Sequence, residues 1–324
     1  MHSARWRGAA LAMACAAAVA LAGGVSALSS PSSSLSVPQR PRPAAAPQGS
    51  YWCPMHANVR GHAGEHCPIC GMTLVPMPAR DYTPYWLDFG AALPAPAVRR
   101  PTRIRFRVRD PHTGQVVRRF DLMHEKRLHF FVISQALDYF AHVHPRLRPD
   151  GVFVQTVDLP RPGAYRLIAD FMPTGGAPQL LQQTITTIGF AGSVLPGAAP
   201  PVDLAPKVVD GVRITPTIPQ PTGGREQLLT FHLADAATGH PITDLEPFLG
   251  ATGHLLLASA DFQSVAHSHP VAALSRAFGP DVVFQAVFPR AGIYKVWAQF
   301  QRHGQVLTAA FVVNAQPRDQ AFAR

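Results

Sequence analysis

Along residues 103–110, RIRFRVRD, every second position is apolar: Ile104, Phe106 and Val108 alternate with Arg103, Arg105, Arg107 and Arg109. A period of two sends alternate side chains toward a core, the pattern of a half-buried β-strand. Further strands are predicted at 128–134, 152–159, 164–171 and 181–189, and again near 227–234, 254–259, 282–288, 293–300 and 305–314. Turn signals such as PHTG, RPDG, RPG and PRAG separate them. Tyr165, Tyr294 and Trp297 fall at core-like strand positions, where packing or a corner hydrogen bond is their expected role.

The pattern occurs twice. RFRVRDPHTGQVV (105–117) aligns with TFHLADAATGHPI (230–242), and LHFFVISQALDYFAHVHP (128–145) with GHLLLASADFQSVAHSHP (253–270). Phe106 falls on Phe231 and His144 on His269, an offset of 125 in both cases. After the His-Pro pair the register slips by four, and LPRPGAYRLIADF (159–171) matches FPRAGIYKVWAQF (288–300). A register held this long marks two copies of one domain. Short strands at this spacing, about 90 residues per copy, predict immunoglobulin-like β-sandwiches. The expected fold is therefore mainly β. A sandwich repeat at 101–190, a linker at 191–212, a second repeat at 213–315 and a tail at 316–324 follow a connector at 79–100.

Composition agrees with this picture. The 324 residues are enough for two or three domains, 47% of them apolar, and 33 prolines disfavour long helices. The formal charge of +10 raises the question of nucleic acid, but the arginines are scattered and no helix or RNP recognition motif accompanies them. The stripe Arg103, Arg105, Arg107 and Arg109 reads as a solvated strand face.

The first residues read as an export signal over 1–27. Arg5 and Arg7 precede an apolar run from Ala9 to Leu21, and Val25-Ser26-Ala27 offers a small-residue cleavage site. The apolar run is short for a membrane span of about 20 residues. No transmembrane segment is expected after cleavage, and the chain is expected in the periplasm or secreted. Residues 28–50, rich in Ser, Pro and Ala, read as a flexible tether. Export favours disulfides, yet the mature chain keeps three cysteines, an odd number.

All three lie in YWCPMHANVRGHAGEHCPICGMTLVPM (51–77), together with three methionines and three histidines. Cys53-Pro-Met-His56 and Cys67-Pro-Ile-Cys70-Gly each place two ligands around two residues, so both side chains turn toward one point. Pro sets φ after the first ligand, and Gly permits a positive φ after the last. Two facing knuckles supply Cys53, His56, Cys67 and Cys70, a Cys₃His set with spacing close to that of tetrahedral zinc sites. Met55, Met72 and Met77 add thioethers that favour Cu(I). Met55 and Met72 are the first added ligands in that case. The cofactor is thus a transition-metal ion, copper or zinc. His62 and His66 are secondary candidates. A single disulfide, Cys67–Cys70 or Cys53–Cys67, is the competing reading, and it would strand one thiol.

This module (51–78) resembles the small heavy-metal-binding domain with the pattern Y-x-C-P-M-H … C-P-x-C-G-M-x-L-V-P. It matches at Tyr51, Cys53, Pro54, Met55, His56, Cys67, Pro68, Cys70, Gly71, Met72, Leu74, Val75 and Pro76. It departs from the pattern at Trp52 and in the His-rich loop between the knuckles. In that family the module accompanies periplasmic adaptors of copper and silver efflux systems and copper-transporting ATPases. The resemblance therefore implies a partner among the metal efflux or delivery proteins of the envelope. The body has no adaptor-like coiled-coil hairpin. It is similar to secreted bacterial proteins that join this module to β-sandwich repeats.

Each repeat also carries His-x₁₂-His-x-His-Pro: His129, His142 and His144 in the first, His254, His267 and His269 in the second. In an extended segment, residues i and i+2 share a face, and a partner strand would bring the first histidine opposite them. Each triad is then a three-imidazole candidate for Zn or Cu. Hydrogen-bonding turn or core histidines are the competing reading. Met123 and His124 lie nearby in the first copy only.

No nucleophile elbow, phosphate loop or paired-carboxylate signature is present, and no enzyme is proposed. The sequence reads as an exported metal-binding protein, copper favoured and zinc possible, that captures or hands over metal in heavy-metal homeostasis. The alternative is an envelope interaction protein with a structural zinc module and partner-binding sandwiches.

Overall fold

The computed structural model describes residues 51–318, apart from 54–58, 69–71, 77–82, 91–95, 196, 272–274 and 276–277. The expected export signal (1–27), the tether (28–50), the ligand candidates Met55, His56, Cys70 and Met77, and the tail beyond 318 lie outside the described residues. The described residues form strands and turns without a helix.

The first sandwich has one sheet in the order Trp86–Asp88, Thr102–Arg109, Phe153–Val157, Arg146–Leu147. Its other sheet runs Gln179–Thr186, Ala164–Pro173, Leu128–Ser134, Phe140–Val143, with Phe120–Asp121 paired to Ala164–Pro173. The second sandwich repeats the scheme. Lys207–Val209, Val212–Thr217, Glu226–Asp235 and Asp281–Val287 form one sheet. Val265–Ser268, His254–Ser259, Gly292–Arg302 and Gln305–Ala315 form the other. Paired strands run antiparallel throughout both. Trp86–Asp88 lies in the stretch read as connector, and Lys207–Val209 in the stretch read as linker. Both are three-residue edge strands, too short for an alternating pattern to show.

The alternation at 103–109 is realised as expected: Ile104, Phe106 and Val108 are buried, and Arg103 and Arg105 are exposed. The buried three join Phe130, Phe153 and Phe171 in the first core. Phe231, Phe284, Phe300 and Phe311 occupy the second. In each repeat a tyrosine ties a corner. The Tyr165 hydroxyl donates to the Arg161 carbonyl at 2.8 Å, and Tyr294 to Arg290 at 2.9 Å.

Two strands are buried along their whole length, Leu128–Ser134 and His254–Ser259. Alternate side chains point to opposite faces of a strand, so each must have two partners. Leu128, Phe130 and Val132 enter the first core, and Leu255 and Leu257 the second. Their other faces meet one another. Phe131, Ile133, Leu256, Ala258 and Trp297 form one apolar cluster between the sandwiches. The Trp297 ring stacks on Phe140 at 5.0 Å between centroids. The two repeats are thus joined by a seam with an apolar, aromatic-rich part. Fully burying one such side chain stabilises by roughly 1.5–3 kcal/mol relative to exposure.

Candidate metal centres

The N-terminal module is a three-stranded sheet with Tyr51–Trp52 between Arg60–Gly61 and Val75–Pro76. Cys53 leaves the central strand with its amide bonded to the Val59 carbonyl at 3.1 Å. The Cys67 amide donates to the Met72 carbonyl at 2.7 Å. These bonds bring two segments of the motif together: Cys53, Cys67 and Met72 are buried in one cluster. The cluster is completed from outside the module, by Met123 and Met172 of the first sandwich. Sequence reading noted Met123 only as a neighbour of His124 and did not single out Met172. His62 and His66 stay exposed on the surface.

The repeated histidines converge in the seam. His129 stands two residues before Phe131, and His254 two before Leu256, so each continues the seam-facing stripe of its strand. The strands Phe140–Val143 and Val265–Ser268 pair alongside and carry His142 and His267. The triads of the two repeats therefore lie against one another. Ring centroids of His129 and His267, one from each repeat, are 5.1 Å apart, and those of His142 and His254 are 5.4 Å apart. His129, His142 and His267 have donor atoms mutually within 4.8 Å, as do His254, His267 and His269. The second set is the triad expected from sequence. The first exchanges His144 for a histidine of the other repeat, although His144 Nε2 still lies 3.2 Å from His142 Nε2.

The surrounding hydrogen bonds obey the internal symmetry. His129 Nε2 faces the Met123 carbonyl at 2.9 Å, and His254 Nε2 faces the Phe248 carbonyl at 3.0 Å. His142 Nδ1 crosses the seam to Gln299 Oε1 at 2.7 Å, and His267 Nδ1 crosses it the other way to Asp170 Oδ2 at 2.6 Å. Asp170 and Gln299 occupy matching positions, for Asp170 pairs with His129 in register and Gln299 with His254. A carbonyl or carboxylate can only accept, so the facing ring nitrogen holds the proton.

A seventh histidine enters from a tight turn. Met123 and Lys126 exchange backbone hydrogen bonds of 2.9 and 3.1 Å around His124 and Glu125, which have φ of 44° and 65°. The second repeat builds the same turn with Leu249 and Gly250. Two successive left-handed non-glycine residues cost roughly 1–2 kcal/mol each. The turn lays the His124 ring on His269, centroids 3.6 Å apart. The signal in the sequence was slight, a Met-His pair where the other copy has Phe-Leu.

Burial sets the charge of these rings. It is the main cause that holds His129 down to about 4 and His144 to about 3, and it pushes His142, His254 and His269 well below 6.5. Neighbouring histidines add to the effect in each case. These imidazoles are neutral near pH 7, the state in which a ring nitrogen can bind a metal.

Comparison with known proteins bears on both regions. The family model described as "Heavy metal binding domain" matches residues 50–77. That described as "Domain of unknown function (DUF8832)" matches 88–188 and again 207–317. No curated protein matches the chain. Among solved structures, the BSP domain of a biofilm associated protein is 11% identical, with a TM-score of 0.19, over 73% of this chain and 30% of that one. This chain therefore spans less than a third of that relative. A two-domain fibronectin type-III segment of chicken tenascin is also 11% identical, over 71% of this chain and 97% of that one, TM-score 0.19. The FN1–FN3 domains of chicken CNTN1 are 13% identical, over 72% and 67%, TM-score 0.19. Among the described residues no helix is long and apolar enough to cross a membrane.

Proposed function

The chain belongs to the DUF8832 family and carries a heavy metal binding domain ahead of its two repeats, and from that premise we propose that it captures a soft transition-metal ion, copper before zinc, outside the cytoplasm and passes it on. The observation that carries this is the sulfur-rich cluster around Cys53 and Cys67. Met72 of the module and Met123 and Met172 of the sandwich are packed with the two cysteines. Thiolate and thioether donors favour Cu(I), and the polarisable thioethers give the pocket a soft lining. His56 and Cys70 complete the donor set by their place in the motif. The basic, apolar and small-residue succession of residues 1–27 supports export.

Binding deprotonates the thiols, so the captured ion is released as pH falls. Docking on the sandwich gives the small module a core it could not build alone. The partner is an envelope efflux or delivery protein able to offer competing sulfur ligands.

The test is Cu(I) uptake by the exported, mature protein and by a Cys53→Ser/Cys67→Ser/Cys70→Ser variant, read by X-ray absorption at the copper edge. The wild type is expected to hold about one sulfur-ligated copper, and the variant none. A wild type with no sulfur scattering, or zinc that resists exchange for Cu(I), overturns the capture reading.

A further inference from the structure

We propose that the histidine cluster in the seam is a second metal site, assembled by both repeats, which takes a borderline divalent ion such as Zn²⁺ or Cu²⁺ through imidazole nitrogens alone. It shares no donor with the capture module. Its evidence is the direction in which lone pairs point.

His129 and His254 commit Nε2–H to backbone carbonyls, which leaves Nδ1 as the lone-pair nitrogen of each neutral ring. His142 commits Nδ1 to Gln299, which leaves Nε2, and the Nδ1 bond of His267 to Asp170 turns its Nε2 toward His254. These uncommitted nitrogens face one another. His129 Nδ1 is 3.0 Å from His142 Nε2, and His254 Nδ1 is 3.2 Å from His267 Nε2. His144 Nε2 approaches the same His142 nitrogen at 3.2 Å. Lone pairs repel at such distances unless a cation lies between them. A single proton bridges two nitrogens, so it cannot serve His129, His142 and His267 together, whose donor atoms lie mutually within 4.8 Å. A metal ion can. Nitrogens about 2.0–2.1 Å from one tetrahedral ion lie roughly 3.3 Å from each other, close to the separations seen here.

His269 points to the same conclusion independently. It is 4% exposed, and neither ring nitrogen has a hydrogen-bond partner among the described residues. A buried polar ring left in this way is costly unless something else occupies its lone pair. Its donor atom lies with those of His254 and His267 within 4.8 Å.

The outer contacts are those a metal site needs. Ligating histidines use their second nitrogen to bond a carboxylate or carbonyl, which fixes the tautomer and the ring plane. All four central rings do so, and two of them reach across the seam. His267 belongs to both donor sets. Its Nδ1 is committed to Asp170, so Nε2 serves one ion, and the two sets exclude each other. The cluster then holds about one ion per chain. The set of His129, His142 and His267 draws on both repeats, so an ion held there clamps them together. All-nitrogen donors suit Zn²⁺ and Cu²⁺ better than Cu(I) held by thiolate, so the seam and the module differ in the ion they prefer.

The experiment uses the full-length mature chain with Cys53, Cys67 and Cys70 changed to Ser, which removes the module's thiolates and separates this proposal from the capture reading. Apo protein is titrated with Zn²⁺ by calorimetry and with Cu²⁺ by electron paramagnetic resonance. About one equivalent is expected, with nitrogen hyperfine coupling and no sulfur signature, and with a rise in thermal midpoint on binding. His267→Gln is expected to abolish it. Should His267→Gln fail to fold, Asp170→Asn keeps the shape and is expected to weaken binding about 10–100-fold. A folded triple-Ser chain that takes up neither ion overturns the site. So does binding with unchanged affinity in Asp170→Asn.

Discussion

The two donor clusters of this chain are built in opposite ways. In the module, Cys53 to Met72 span one short stretch, and backbone hydrogen bonds from Cys53 to Val59 and from Cys67 to Met72 help gather the sulfur-bearing residues. In the seam, the donors run from His129 to His269 and meet only because two copies of one sandwich pack face to face. The module concentrates its chemistry in a motif and borrows a core from the body. The seam dilutes its chemistry over two domains, and the duplication gathers it again. A residue on the packing face of a duplicated domain meets its own counterpart across the interface, so three histidines per copy become one cluster. The match is not complete. Asp170 stands where the other repeat has Gln299, and His124 where it has Leu249, so the pseudosymmetric site has one acidic side and one extra ring.

Acid is the broadest way to break this contrast, and it strikes the seam through several rings at once. In chelator-treated protein, His129 has its pKa lowered to about 4 and His144 to about 3. Between 6.5 and these values the unfolded chain takes up protons that the folded chain refuses, so stability falls as pH falls. The thermal midpoint of the metal-free chain is expected to be level above pH 7 and to drop steadily from pH 6.5 toward 4. A midpoint that rises on acidification would show that the rings are not buried neutral.

Next in size is the apolar half of the seam. Trp297→Ala removes the ring stacked on Phe140 and is expected to cost roughly 3–5 kcal/mol in denaturant unfolding. It should also split one transition into two as the repeats uncouple. A single transition with an unchanged midpoint would mean that the seam does not hold them.

A smaller change sharpens the difference in ion preference. Met172→Leu keeps the volume that packs on Cys53 and Cys67, so stability should move by less than about 1.5 kcal/mol. Zn²⁺ uptake by the seam should be unaffected. Loss of Cu(I) affinity in a competition assay would make Met172 a ligand of the module, and unchanged affinity would make it packing only. The smallest effect is expected at the corners. Tyr165→Phe and Tyr294→Phe each remove a hydroxyl that donates to one carbonyl and accepts from one backbone amide, part-buried bonds worth about 1 kcal/mol each by chemical denaturation. A much larger loss in one of them would show that the copies do not share this support.

What could be read from the chain alone depended on the range of the interactions. Strand periodicity, the duplicated register and the two knuckles are local or self-similar patterns. A period of two needs only neighbouring residues, and Cys53, Cys67 and Met72 lie close together in the chain. The first sheet followed from Ile104, Phe106 and Val108 because one apolar face implies one core. LHFFVIS and HLLLAS, buried on both faces, implied a second partner without saying which. Short edge strands such as Trp86–Asp88 escaped notice because three residues cannot display a period.

The amino-acid sequence by itself determined the β class, the duplication, the metal module and the six repeated histidines. Tertiary structure alone decided that the histidines of both copies lie in one cluster and that Met123 and Met172 pack against the module. It also decided that Asp170 and Gln299 each orient a ring of the opposite repeat. The reason is physical: hydrophobic burial selects which faces pack but is non-directional. The register in which two seam-facing stripes meet is set by the shapes of the whole sandwiches, and no short-range pattern encodes it.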